Sequence, residues 1–237
     1  MKKKIVITGG NGRFGSVLKK INYENSLLFP TKKQLNILKF NSLKNYLKLK
    51  RPKILIHLAG LSRPMNIHDK NINKSIDLNI IGTANIVKIC SLLKIKLVYF
   101  STHYVYPCNK GNYSETSPLL PINNYAWSKL GGEAAVQMYK NSLILRLCMT
   151  EKPFVHKSAF ANVKSNFIFH EDVAKILFKL INKKGIINVG GKTQTIYNFA
   201  KKNNPYVKKV YLKKKSKIQF PKNPSININK LKKLIKL

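Results

Sequence analysis

Short apolar runs alternate with longer segments of helical period along most of this chain. The runs cover residues 4–8, 26–29, 54–58, 96–100, 142–147 and 185–189. Runs of this length between polar segments are typical of buried strands, and the segments between them are long enough for crossover helices. The alternation predicts an α/β fold with a doubly wound parallel sheet.

Two of the intervening segments have features of their own. The stretch 71–93 places Ile72, Ile76, Ile80 and Val87 at helical spacing, which predicts a helix. Residues 103–121 are rich in Pro, Asn, Gly and Ser and predict a long loop, a feature that is often functional. No internal repeat or linker divides the chain, so the pattern predicts one unit over residues 1–237.

A glycine-rich turn follows the first apolar run. It reads Thr8-Gly9-Gly10-Asn11-Gly12-Arg13-Phe14-Gly15. Gly9 suits the sharp turn, Gly12 lets the backbone approach a diphosphate, and Gly15 allows the next helix to pack closely on the strand. A helix that begins here directs free N–H groups and the positive end of its dipole at an anion. The turn predicts a Rossmann-type dinucleotide site.

The segment after the second predicted strand bears on the choice of cofactor. NAD sites place an acid there to hold the ribose hydroxyls. This chain has Thr31 and Lys32 at about that position, and Arg13 in the glycine turn adds a further positive charge. These residues suit a ribose 2′-phosphate. We therefore expect NADPH as the cofactor, with NADH as the alternative.

A candidate for proton transfer lies in the second half of the chain. Tyr125 and Lys129 are four residues apart, so a helix places both side chains on one face. An adjacent ammonium favours the phenolate of a tyrosine, whose ordinary pKa of about 10 is too high for acid–base work at neutral pH. Thr102 follows a predicted strand, at the sheet edge where α/β proteins bind ligands.

These motifs together resemble the extended short-chain dehydrogenases/reductases, and within them dTDP-4-dehydrorhamnose reductase and its sugar-nucleotide-modifying relatives. Further matches extend the resemblance over most of the chain: His57-Leu58-Ala59-Gly60, Asn79-Ile80-Ile81-Gly82-Thr83, Ser101-Thr102-His103-Tyr104-Val105-Tyr106, Phe169–Ala174, and the tail from Pro221 to Leu231.

The resemblance implies a division of the chain and a set of ligand contacts. It implies a dinucleotide-binding core over about residues 1–150 and a small, shortened C-terminal substrate lobe over about 151–237. It also implies cofactor contacts from Phe14, Asn36, Ile37, Leu58, Ala59 and Gly60, in addition to the motif residues above. The expected substrate contacts are His103, Tyr104 and, in the shortened segment, His156.

The activity implied is reduction of a 4-keto group on a nucleotide-linked deoxysugar. Tyr125 would donate the proton, Lys129 would adjust the acidity of the tyrosine, and Thr102 would hydrogen-bond the carbonyl oxygen. The relatives carry aspartate where this chain has His103, so the charge and the hydrogen-bonding group offered to the sugar differ from theirs.

Other functions fit part of this pattern. A 4,6-dehydratase is disfavoured, because its acidic pair after the threonine is replaced by His103 and Tyr104. A nucleotide-sugar epimerase, or a bifunctional epimerase/reductase, uses the same three groups. The alternative from another class is a non-catalytic NADP-binding regulatory subunit, similar to the reductase-like subunit that accompanies methionine adenosyltransferase.

Composition restricts the partners. The chain has 45 basic and 8 acidic residues among 237, a net charge of +37. Lysine dominates throughout and arginine is scarce, whereas proteins that read nucleic-acid bases rely on arginine, so we expect no specific nucleic-acid partner. A nucleotide-diphosphate sugar suits the positive field. The four arginines are Arg13, Arg51, Arg63 and Arg146.

The remaining expectations concern location, metals and assembly. No run of 18 apolar residues occurs, so we expect no membrane span and a cytoplasmic protein. Cys90, Cys108 and Cys148 lack the spacing of metal ligands and are expected to be buried reduced thiols, and no metal site is predicted. Apolar faces over residues 72–93 and 122–140 are compatible with a homodimer and equally with burial in the core.

Overall fold

The computed structural model describes residues 3–21, 23–212 and 221–235. The chain divides into two compact units. The first comprises Met1–Ser101, Trp127–Leu145 and Ile181–Ile186. The second comprises Thr102–Ala126, Arg146–Leu180 and Ile187–Leu237. Within the described ranges, no helix combines the length and the apolar composition needed to cross a bilayer.

All six predicted apolar runs form strands, and these strands make up one parallel sheet in the order β10-β5-β4-β3-β1-β2. The expected α/β class with a Rossmann-type parallel sheet is therefore confirmed. The strands of the described residues are β1 Lys4–Thr8, β2 Ser26–Leu28, β3 Ile54–His57, β4 Lys96–Thr102, β5 Ser142–Leu147, β6 Met149–Thr150, β7 Ser158–Phe160, β8 Lys164–Ser165, β9 Ile168–Phe169, β10 Gly185–Val189, β11 Gln194–Thr195 and β12 Lys208–Val210.

The helix predicted over residues 71–93 is present but is not uniform. A five-residue π-helical turn, Asp77–Ile81, lies between two α-helices. A short 3₁₀ turn, His103–Val105, follows β4 and opens the predicted loop. The α-helices are α1 Arg13–Lys19, α2 Phe40–Lys50, α3 Ile67–Lys70, α4 Ile72–Ile76, α5 Gly82–Leu92, α6 Asn124–Gln137, α7 His170–Leu180, α8 Ile196–Lys201 and α9 Asn229–Ile235.

The core of the first unit consists of apolar side chains from the sheet and from the helices that cover it. Leu43 and Leu47 from α2, and Ile86 and Ile89 from α5, are fully buried in it. Register between the parallel strands aligns Thr8 with His57 and His57 with Tyr99. Thr8 and His57 are the last residues of their strands, and Tyr99, three residues before the end of β4, lies beside His57.

The second unit has its own small core, built mainly from phenylalanines. Phe154, Phe169 and Phe199 pack together, with the rings of Phe169 and Phe199 4.9 Å apart. Short strand pairs surround this core: β6 with β9 and β7 with β12 are parallel, whereas β8 with β11 is antiparallel. The expected division near residue 150 stays a prediction.

The three cysteines are free and buried, as expected for reduced thiols. Burial raises the pKa of the Cys108 and Cys148 thiols to about 12. These groups therefore act as small apolar residues at neutral pH rather than as nucleophiles.

Candidate functional site

The backbone of neighbouring segments packs closely against the glycine turn. Gly9 has φ +73°, and a Cβ atom there would lie 2.6 Å from the backbone nitrogen of Ala59. A Cβ on Gly15 would lie 2.5 Å from the carbonyl oxygen of Gly10. Gly12 is exposed, and its N–H donates to the carbonyl of Gly9 over 2.9 Å. The turn therefore leaves bare backbone at the start of α1, which fits a diphosphate group.

The two side chains that follow Gly12 point to different surroundings. Arg13 is exposed, and its Nη2 donates to the hydroxyl of Ser62 over 3.1 Å. Phe14 is buried, with its ring 5.0 Å from that of Phe100. Arg13 thus places a positive charge at the surface beside the turn, whereas Phe14 anchors α1 to the core.

The segment after β2 contains the residues expected near the adenosine ribose. Thr31 and Lys32 are exposed, and the hydroxyl of Thr31 donates to the side chain of Gln34 over 3.2 Å. Asn36 accepts a hydrogen bond from the N–H of Leu38 at 3.0 Å. Ile37 is a core residue, so its backbone rather than its side chain is what this position can offer a ligand.

The segment after β3 is fixed by the side chain of Asn79, a residue that matches the family but for which the sequence predicts no role. Asn79, in the π-helical turn, accepts from the N–H of Leu61 at 2.7 Å and donates back to the Leu61 carbonyl at 2.9 Å. A Cβ on Gly60 would lie 2.8 Å from the Asn79 side chain. Leu58 and Ala59 are partly exposed, next to Gly9. The signal available in the sequence was a polar residue inside a segment of apolar helical period.

His57 is a second polar residue whose role the sequence left open. Its ring is buried between two hydroxyls, with Thr8 Oγ1 2.8 Å from Nδ1 and Thr83 Oγ1 3.1 Å from Nε2. Burial, with a smaller contribution from the charge of Lys129, lowers the pKa of His57 to about 3. The imidazole is therefore neutral at physiological pH and links β1 and β3 to α5.

The Thr-His-Tyr triplet begins at the end of β4. Thr102 is 4% exposed, and its hydroxyl accepts from the N–H of Tyr104 at 3.3 Å, which caps the 3₁₀ turn. The ring of His103 lies 4.1 Å from the ring of Tyr104. Its Nδ1 is 2.8 Å from the carbonyl oxygen of Leu147. Burial lowers the pKa of His103 to about 4, although the Leu147 hydrogen bond raises it.

Helix α6 carries Tyr125 and Lys129 one turn apart. The side-chain oxygen of Asn123 accepts from the N–H of Ala126 at 2.9 Å and so caps the start of the helix. Lys129 Nζ lies 4.2 Å from the centre of the Tyr99 ring, and the Tyr99 hydroxyl donates to the Lys129 carbonyl over 3.1 Å. Loss of water around this amine lowers its pKa to about 7, although the charge of Glu133 raises it.

His156 lies in the segment between β6 and β7. Its side chain is exposed, and its ring meets that of Phe154 edge-on at 5.4 Å. Nothing in these contacts assigns it to a ligand, and its substrate role stays a prediction.

Comparisons of the sequence with known proteins agree with the motifs. The chain is 29% identical to methionine adenosyltransferase 2 subunit beta of Xenopus laevis over 155 residues, which are 61% of this chain and 46% of that protein. It is 26% identical to dTDP-4-dehydrorhamnose reductase of Mycolicibacterium smegmatis over 140 residues, which are 57% of this chain and 42% of that protein. The matched segments thus span less than half the length of these relatives.

A solved structure matches more of the chain. The dTDP-4-dehydrorhamnose reductase of Bacillus anthracis, crystallised in complex with NADP, superposes with a TM-score of 0.86 at 25% identity, over 98% of this chain and 91% of that one. The family model described as the RmlD substrate binding domain matches residues 2–157, well over half of the sequence. The chain belongs to the RmlD substrate-binding domain family.

Proposed function

We propose that this protein reduces a 4-keto group on a nucleotide-linked deoxysugar, with NADPH as the hydride donor. The observation that carries the proposal is the pair on α6, where Tyr125 is followed one turn later by a lysine whose pKa lies near 7. Similarity to sugar-nucleotide reductases supports the choice of substrate class.

The residues of the glycine turn fit the cofactor. Bare backbone at Gly9 and Gly12 suits the diphosphate, and the exposed Arg13, Thr31 and Lys32 suit a 2′-phosphate. When bound, NADPH supplies a hydride to the carbonyl carbon of the sugar. Segment 58–60, which lies next to Gly9, would contact the cofactor.

The chain's own groups complete the reaction. As the carbonyl π electrons move onto oxygen, Tyr125 transfers its phenolic proton to that oxygen and an alcohol results. Lys129, when protonated, lowers the cost of the phenolate that is left, and the phenolate regains its proton from solvent. The Thr102 hydroxyl donates a hydrogen bond to the same oxygen. General-acid help of this kind is worth about 10²–10⁴ in rate.

His103 is the proposed contact for a sugar hydroxyl. A carbonyl can only accept, so the Nδ1 that faces Leu147 carries the proton and Nε2 of the neutral ring is an acceptor. That Nε2 is buried and has no hydrogen-bond partner among the described residues. A substrate hydroxyl would satisfy it. We expect His103→Phe to raise the KM for the sugar while leaving NADPH affinity unchanged.

The test begins with binding of NADPH and NADH to the purified protein at moderate salt. Loss of nicotinamide absorbance is then followed after adding a dTDP-4-keto-6-deoxysugar. Tyr125→Phe should lower kcat by about 10²–10⁴ at unchanged NADPH affinity. Tyr206→Phe, at a tyrosine that is 89% exposed, is the matched control and should retain full activity.

A non-catalytic NADP-binding regulatory subunit is the second candidate. The similarity to methionine adenosyltransferase 2 subunit beta favours it. NADPH binding without turnover across several nucleotide sugars would select this candidate over the reductase. Absence of cofactor binding would contradict both.

A further inference from the structure

Glu133 is a buried carboxyl in a chain that has few acids. The protein has 8 acidic residues against 45 basic ones. Among the described residues, which include all eight acids, Glu133 is the one that is buried, with an exposed fraction of 0%. A buried charge is costly unless hydrogen bonds and an opposite charge compensate it. A carboxyl buried to this extent therefore needs hydrogen-bond donors and a positive charge nearby.

Two donors hold the Glu133 side chain. Ser101 Oγ donates to Oε2 over 2.5 Å, and Gln137 Nε2 donates to Oε1 over 3.1 Å. Both side-chain oxygens of Glu133 therefore have a hydrogen-bond donor. Ser101 precedes Thr102 in β4, so the strand that ends in the candidate site also fixes this carboxylate.

Glu133 lies one helical turn after Lys129 in α6, at the spacing where side chains meet on a helix surface. Among the described residues, two further side chains interact with the Lys129 amine. The Tyr99 ring contributes the attraction of its π face, with Nζ 4.2 Å from the ring centre. His57, whose pKa is about 3, is uncharged at physiological pH. Tyr125, one turn earlier, is the proposed proton donor.

We propose that Glu133 is a positioning residue whose carboxylate, anchored by Ser101, serves as the counter-ion that keeps Lys129 charged beside Tyr125. Its effect on catalysis rests on the proposed function, but the electrostatic interaction of Glu133 with Lys129 does not. Burial and Glu133 act on the pKa of Lys129 in opposite directions. Without the carboxylate, only the lowering of the Lys129 pKa by burial remains. The amine therefore loses its proton at lower pH.

The pair is tested without substrate by competitive acylation of lysines as a function of pH, with the Lys129 peptide followed by mass spectrometry. Only the neutral amine reacts. In Glu133→Gln we expect the Lys129 midpoint to fall by about one pH unit, which raises its labelling rate at pH 6 about fivefold. Glu133→Asp keeps the negative charge, so its Lys129 midpoint should stay close to that of the unsubstituted protein. Glu171→Gln, an exposed acid in α7, is the control and should leave Lys129 unchanged.

Glu133→Met removes the charge and introduces no side-chain group that needs a hydrogen-bond partner. If Glu133→Gln does not fold, the Lys129 midpoint is measured in Glu133→Met instead. An unchanged Lys129 midpoint in the folded charge-free variant would overturn the proposal. If the protein is a reductase, kcat falls on the alkaline side of its pH profile. The midpoint of that fall should shift to lower pH by the same amount as the labelling midpoint. A labelling shift in a protein without reductase activity would support the interaction of Glu133 with Lys129 and contradict only the proposed reaction.

Discussion

Asn79 donates a hydrogen bond from its Nδ2 to the hydroxyl oxygen of Ser128, 2.8 Å away. Because Asn79 also bonds both backbone groups of Leu61, one side chain connects the segment after β3 to the residue that precedes Lys129. The position of the proposed catalytic lysine thus depends on a residue that has no chemical role of its own.

Replacing Asn79 by alanine should destabilise the protein by about 1–3 kcal/mol. The change leaves the N–H and carbonyl of Leu61 without their partner in a partly buried place. Urea unfolding followed by circular dichroism measures the loss. Asn73→Ala, at an exposed position in the same helical stretch, is the control. Equal effects of the two substitutions would contradict the bridging role of Asn79.

Gly9→Ala should be more harmful than Gly185→Ala, although both glycines have positive φ, +73° and +82°. At Gly185 nothing lies within 4 Å of a new Cβ, so the substitution costs only backbone strain, about 1–2 kcal/mol. At Gly9 the new atom also collides with the backbone of Ala59. We expect a larger fall in the thermal midpoint for Gly9→Ala than for Gly185→Ala, and weaker NADPH binding for Gly9→Ala alone. Equal thermal midpoints and equal NADPH affinities for the two variants would show that the glycine turn can shift to accommodate the new Cβ atom.

Stability should fall in mild acid because His57 is held neutral in the folded protein. Its folded pKa of about 3 lies below the ordinary value of 6.5, so only the unfolded chain takes up this proton between those values. The contribution is fully present above pH 6.5 and is lost as the pH falls toward 3, at up to about 1.4 kcal/mol per pH unit.

Urea midpoints measured from pH 7 to pH 4 provide the test. His57→Gln should flatten the pH dependence, although it lowers stability at pH 7. His156→Asn removes an exposed imidazole and serves as the control. If both substitutions change the slope equally, the buried ring is not its source.

Tyr106→Phe should cost about 1–3 kcal/mol in the second unit. The Tyr106 hydroxyl accepts from the buried Arg146 guanidinium at 2.7 Å and donates to Asn188 at 2.9 Å. Hydrogen bonds to a charged group are among the strongest, and their loss leaves a buried donor unsatisfied. Thermal unfolding of Tyr106→Phe and the exposed control Tyr206→Phe would compare the two. A loss below about 0.5 kcal/mol would show that Arg146 finds another acceptor.

The sheet was predictable because buried parallel strands are continuous apolar runs, and each of the six runs is one strand of it. The glycine turn and the α6 pair were predictable from fixed spacing. No role was predicted for Glu133, or for Asn79 beyond its match to the family, because their partners Ser101 and Ser128 are 32 and 49 residues away in sequence. The two- and three-residue strands of the second unit have no periodicity that a sequence pattern can register.

Because the π-helical turn Asp77–Ile81 lies between α4 and α5, the number of residues in it sets the rotation of α5 about the helix axis relative to α4. Each helical residue rotates the chain by about 100°, so deleting one residue here would turn α5 by that angle relative to α4, or turn Asn79 away from Leu61 and Ser128. Apolar substitutions along the stretch should therefore be tolerated far better than any insertion or deletion, even one that leaves its composition unchanged.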